Sequence, residues 1–90
     1  MAIEFDPAKR LLNLEKRGLD FADAIAVIEG PNITIDDDRF EYSEKRMITF
    51  GNLANRLVVI VWTQRGGNYR IISMRKANDR EQKRFGSRLD

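Results

Sequence analysis

The 90-residue sequence contains no cysteine and no histidine. Without cysteine there is neither a disulfide framework nor a thiolate metal site, and a reducing compartment is compatible with that composition. Without histidine the usual general acid/base and the commonest metal ligand are missing, so any catalysis must run on carboxylates, Lys, Arg, Tyr or hydroxyls. Long apolar runs are lacking too. Nothing approaches the roughly 18 consecutive apolar residues of a membrane span, and the opening MAIEFDPAKR, with an acid and a proline, argues against a signal peptide. The expectation is a soluble, cytoplasmic protein that is one domain over 1–90, with no cofactor and no membrane partner. A chain this short buries only about 60–65% of its unfolded surface, which leaves room for a partner chain to complete it.

What is present is unevenly charged. Met1 to Thr63 holds 8 Lys and Arg against 11 Asp and Glu, a net −3, whereas Gln64 to Asp90 holds 8 against 3, a net +5. A basic C-terminal part suggests contact with phosphate, and a solvated charged helix beside a basic strand end is the plainer alternative.

Along the chain, Ile3-Glu4-Phe5 fits an edge strand. Asp6 and Pro7 fit a helix start, the carboxylate as N-cap and the proline at the first helical position, where no donor is lost. Ala8, Leu11, Leu12 and Glu15 give that helix a narrow apolar face, and Gly18 ends it after Lys16 and Arg17. A second helix is expected from Asp20, with a core-facing stripe of Phe21, Ala24, Ile25 and Ile28, ending at Gly30-Pro31. Ile33-Thr34-Ile35 reads as a short extended piece before Asp36-Asp37-Asp38. Those three carboxylates lack the spaced ligands, glycine and distal glutamate of a calcium loop, so a solvated acidic turn, paired with Arg39 or a basic partner, is the better reading. Met47 to Phe50 alternates as a strand and leads through a loop, Gly51 to Asn55, into Leu57 to Thr63. Asn78 and Glu81 stand at capping-box spacing for a last helix, Asp79 to Phe85, that is polar apart from Phe85 and therefore either loosely docked or a surface for a partner.

The strongest local signal is LVVIVWTQRGGNYRIISMR, Leu57 to Arg75. Two β-prone runs flank Gly66-Gly67, which supplies the positive φ angles of a two-residue turn. If that pair is the turn, Arg65 faces Asn68, Thr63 faces Arg70, Trp62 faces Ile71, Ile60 faces Ser73 and Val58 faces Arg75. One face then carries Val59, Val61, Ile72 and Met74 as a helix-covered core. The other carries Val58, Ile60, Trp62, Gln64, Tyr69, Ile71, Ser73 and Arg75, which joins aromatic rings able to stack a base to a guanidinium able to fork a phosphate. Leu57 to Thr63, almost continuously apolar, is the expected centre of an antiparallel meander.

IEFDPAK, Asn13, Glu15-Lys16-Arg17-Gly18, Asp20-Phe21, DDRFEYSEKR, the hairpin with its trailing Lys76-Ala77, and Arg80-Glu81 together resemble the BrnT family over nearly the whole chain. These are small toxins of type II toxin–antitoxin systems. The resemblance implies an α+β, RelE-like fold: two N-terminal helices on a three- to four-stranded antiparallel sheet, with a C-terminal helix. It also implies a ribonuclease that arrests translation, with three kinds of partner. These are a BrnA-type ribbon-helix-helix antitoxin, an RNA substrate, and operator DNA only through the antitoxin complex. Family members commonly read Lys-His-Gly and Tyr-Gly-Glu where this chain has Lys16-Arg17-Gly18 and Tyr42-Ser43-Glu44. If the family histidine were the base, activity would be weak, altered or lost; as a helix-end cap, arginine replaces it.

The expected chemistry is metal-independent attack of a ribose 2′-hydroxyl on the adjacent phosphate, which needs a base, cations on the phosphorane and an acid at the leaving oxygen. Arg65, Arg70 and Arg75 are assigned to phosphate, Arg75 foremost, with Lys76 auxiliary and the Ser73 hydroxyl beside them. Glu44, Tyr42 and Glu81 are the candidate bases. Trp62 and Tyr69 are the candidate stacking rings, and Arg46, Arg80 and Arg84 further candidates for RNA contact, Arg39 and Arg46 alternatively holding acidic residues of the first half. The other function class is a noncatalytic module that pairs with the antitoxin in operator autoregulation.

Overall fold

The computed structural model describes residues 2–39, 41 and 43–89. Its centre is the hairpin. β4 (Arg56–Arg65) and β5 (Asn68–Lys76) are joined through Gly66 and Gly67, whose φ angles of 56° and 83° are the positive values that a tight turn requires and glycine adopts without strain. β3 (Arg46–Leu53) and β2 (Asn32–Asp36) continue the antiparallel ladder beyond β4. On the other side β1 (Ile3–Glu4) pairs with β5 in parallel, Ile3 beside Tyr69 and Glu4 beside Arg70. The order is β1-β5-β4-β3-β2, so β4 is central as its apolar run implies. The α+β class holds; the sheet has five strands and is mixed, where three to four antiparallel strands were expected.

Three further expectations change. The strand expected over Met47 to Phe50 runs on through Leu53, and the reversal falls at Ala54 and Asn55, both with positive φ (50° and 64°). Gly51 therefore sits inside a strand, because a Cβ there would lie 2.5 Å from Val27 Cγ1. The second helix splits into a 3₁₀ turn, Phe21–Asp23, and a short α2 (Ala24–Ile28). Its inward residues are Phe21, Ala24 and Val27, while Ile25 and Ile28 are only half-buried, because the tighter 3₁₀ turn rotates the stripe.

The third change is in the hairpin register. Pairing follows the expected course from Arg65–Asn68 to Trp62–Ile71, then shifts: Val61 pairs with Ser73, Ile60 with Met74, Val59 with Arg75 and Val58 with Lys76. Ile72 is the extra residue of a β-bulge, and one extra residue reverses which face each later side chain of β5 shares with β4. Met74 thus joins Val58, Ile60 and Ile71 under Leu19, Phe21, Ala24 and Val27. Val59, expected beside Met74, packs on the opposite face with Phe50, Leu57, Ala77 and Phe85. The sheet therefore has a core on both sides, one covered by the N-terminal segments and one by α3 (Asp79–Phe85). Phe85 stacks on Phe50 with centroids 4.1 Å apart, so α3 is docked on the sheet rather than loose.

α1 (Pro7–Arg17) starts and stops where its capping residues dictate: Asp6 accepts the Ala8 N–H at 2.9 Å and Gly18 closes the C-terminus at φ 69°. None of its residues is buried. Polar ties hold it instead. Arg10 forks Asp20 at 2.7 and 2.9 Å, Asn13 donates to the Leu19 carbonyl at 3.0 Å, and Arg17 donates to the Met74 carbonyl at 3.2 Å.

Candidate functional site

Across the three central strands Arg46, Thr63 and Arg70 form one transverse row. Directly paired residues share a face of the sheet, so the two guanidinium groups flank the buried Thr63, whose hydroxyl donates to the Lys45 carbonyl at 2.6 Å. Arg65 follows at the turn. A carboxylate lies close to each: Glu44 is 3.6 Å from Arg46 Nε and 3.5 Å from Arg65, and Glu4 is 3.9 Å from Arg70. Arg46, Arg65, Arg70 and Glu44 line a polar pocket of about 170 Å³ with Asp6, Lys9, Ile71 and Ile72. Four cations against two lining carboxylates leave it electropositive. The Glu44 and Glu4 contacts are long and partly exposed, the kind worth about 0–1 kcal/mol.

Glu44 also borders a neighbouring pocket of about 370 Å³ lined by Lys45, Met47, Trp62, Thr63 and Gln64. Trp62 presents part of its ring there. Its indole N–H is held by Thr49 Oγ1 at 2.8 Å, and Tyr69 packs edge-on at 5.1 Å, so the two rings brace one another on the side of the N-terminal core. The two pockets meet at one carboxylate.

Arg75 stands apart. Its partner Val59 lies four residues from Thr63 along β4, about 13 Å at strand rise. Both its terminal nitrogens bond Glu81, at 2.7 and 2.9 Å. The side-chain hydrogen bonds raise the arginine pKa and lower that of Glu81, so neither group is poised to exchange a proton. Glu81 additionally accepts the Asn78 N–H, completing the capping box of α3. Lys76 is exposed beyond Arg75, Ser73 lines a groove beside α1, Arg80 is exposed on α3, and Arg84 lies over the Phe85 ring at 5.1 Å. The assigned residues thus divide. Arg46, Arg65, Arg70 and Glu44 come together; Trp62, next to Thr63 on β4, faces the opposite side of the sheet and its pocket shares only Glu44 with theirs. Ser73, Arg75, Lys76, Arg80 and Arg84 do not join them. Tyr42 lies outside the described residues.

Two members of the pocket, Asp6 and Lys9, were not legible as such. A helix-capping aspartate and a lysine in a first helical turn carry no signal for a site; the parallel pairing of β1 with β5 brings them beside Arg70. Arg17, at the family-histidine position, tethers the end of α1 to β5 and is absent from the pocket. The acidic turn is partly buried rather than solvated: Asp37 is 6% exposed and paired with Arg39 at 2.7 Å, while Asp36 lies 3.7 Å from Lys45. Among the described residues no three Asp, Glu, His or Cys gather as metal ligands, and no helix is long and apolar enough to cross a membrane.

Residues 5–81 match the family described as the ribonuclease toxin BrnT of type II toxin–antitoxin systems. Among curated proteins no match was found.

Proposed function

The chain belongs to the BrnT family of ribonuclease toxins of type II toxin–antitoxin systems, and on that premise we propose that RNA is cleaved at the arginine pocket beside Glu44. The observation that carries this is the convergence of Arg46, Arg65, Arg70 and Lys9 around a polar pocket whose one shared wall, Glu44, also borders the Trp62 pocket. In this reading the scissile phosphate replaces Glu44 and Glu4 as partner of the guanidinium groups, and the strand of RNA turns past Glu44 at the sheet end towards the Trp62 pocket on the other face.

Glu44, released from Arg46 and Arg65, takes the proton of the 2′-hydroxyl, and that oxygen attacks the adjacent phosphorus. The arginines stabilise the charge that builds on the phosphorane oxygens. Lys9 gives its proton to the departing 5′-oxygen, so the products are a 2′,3′-cyclic phosphate end and a 5′-hydroxyl end. Each step is supplied by a carboxylate, guanidinium groups and an ammonium, so cleavage proceeds without a metal, and degradation of cellular messages arrests translation. A BrnA-type ribbon-helix-helix antitoxin relieves that arrest, and its complex with the toxin occupies operator DNA.

The test is purified protein incubated with RNA in EDTA, beside growth and translation after induction. Wild type is expected to cleave and to arrest growth. An Arg65→Ala/Arg70→Ala variant with an unchanged melting temperature loses cleavage about 100-fold or more, since removing one positioned charge from a developing anion costs about 2.7–4 kcal/mol. Full activity in that variant removes the pocket from the chemistry. A second reading, a noncatalytic antitoxin-pairing module, draws on the carboxylate standing by each pocket arginine; intact RNA together with tight antitoxin binding would establish it.

A further inference from the structure

α1 is amphipathic, and it is mounted with its apolar side away from the protein. Arg10, Asn13 and Arg17 recur at i, i+3 and i+7, which at 100° per residue is one side of the helix, and all three make the ties that fasten it. Ala8, Leu11, Leu12 and Glu15, at i, i+3, i+4 and i+7, fall on the opposite side. Leu11 is 57% exposed and Leu12 50% exposed. On an ordinary surface helix the apolar stripe faces the core and the charges face water; here the relation is reversed. Lys9 and Lys16 border the stripe on the side of Leu12. There a groove of about 270 Å³ runs between α1, Phe21 and Ser73 of β5. Among the described residues no strand lies on the edge of β5 beyond Arg70, since β1 pairs with Tyr69 and Arg70.

We propose that this outward stripe and its lysine-bordered groove are where the antitoxin docks, through a segment that alternates apolar side chains with carboxylates. The proposal rests on the toxin reading above. The occupant is argued from charge and shape: two adjacent leucines and an alanine offer apolar ridges at helical spacing, and Lys9, Lys16 and Arg17 outnumber the stripe's single carboxylate, Glu15, and make the Leu12 border cationic, so an acidic amphipathic segment matches both. A second copy of this chain would bring Lys9 and Lys16 against the same lysines. Because α1 is fastened by its other side, the stripe is free to bind without loosening the fold.

The cognate antitoxin is co-expressed with the full-length toxin, and binding of the purified antitoxin is measured on wild type and on Leu11→Asp/Leu12→Asp. The expected result is a loss of affinity of at least about tenfold, with growth arrest no longer relieved by the antitoxin and RNA cleavage unchanged. Lys16→Glu, a change at an exposed position that threatens no packing, weakens binding more at low salt than at high. Binding by both variants within about twofold of wild type, at unchanged melting temperatures, overturns the proposal. So does a toxin dimer, formed without antitoxin, that Leu11→Asp/Leu12→Asp dissolves, since a second copy would then own the stripe. If wild type neither arrests growth nor cleaves RNA, the toxin reading fails while antitoxin affinity still scores the surface independently.

Discussion

Asp20 joins two roles at one carboxylate. It caps the 3₁₀ turn by accepting the Ala22 N–H at 2.9 Å, and it receives the fork from Arg10 that fastens α1. Those hydrogen bonds, from Arg10 first and then from Ala22, hold its pKa at about 2, below the ordinary 3.8. A carboxylate whose folded pKa is depressed binds protons more readily when unfolded, so its contribution is whole above 3.8 and is lost as pH falls towards 2. Asp20→Asn is therefore expected to flatten the dependence of unfolding free energy on pH across that window, read from urea titrations at stepped pH. Glu81 is shifted in the same direction by Arg75, so part of the acid sensitivity survives the substitution. Asp20 as a cap was legible, because a capping carboxylate acts within two residues of itself; its partner Arg10, ten positions away, was not.

Among the elements, the close approach of α2 to β3 is where packing is least forgiving. A Cβ on Gly51 would sit 2.5 Å from Val27 Cγ1 and 3.4 Å from the Pro31 carbonyl oxygen. Val27 is 2% exposed and has nowhere to swing, so Gly51→Ala is expected to cost about 1–3 kcal/mol, measured by chemical denaturation. The sequence offers this glycine equally well as a loop residue, and only the strand beneath α2 distinguishes the two. The bulge at Ile72 is a similar case. The strand pattern of β5 is compatible with either register, and the bulged one places Met74 in the core under Phe21 while pairing Val59 with Arg75 on the face where α3 supplies Glu81. That single residue moves Arg75 off the face expected to carry Trp62 and sets it against Glu81 of the C-terminal helix.

For the molecule as a whole, the modest net charge of +2 conceals a local excess at the hairpin end. With the one pocket that Lys9, Arg46, Arg65 and Arg70 line neutralising the scissile phosphate and one neighbour, the logarithm of RNA affinity is expected to fall with the logarithm of salt with a slope of about −1.4, or roughly sevenfold between about 50 and 200 mM. An Arg65→Ala/Arg70→Ala variant should lose about half of that slope, measured on a noncleavable single strand. A salt-insensitive affinity would place RNA elsewhere.

By itself the sequence determined the hairpin and its glycine turn, the caps of α1 and α3, the central place of β4 and the basic character of the C-terminal part. Each of these depends on residues close together in the chain or on composition. Only the tertiary structure decided the bulged register, the parallel β1, the outward mounting of α1 and the membership of the arginine pocket. Those features depend on which faces can be buried together: a strand accepts either register until a core fills one side of it, and a helix stripe has no direction until polar ties fix the other side.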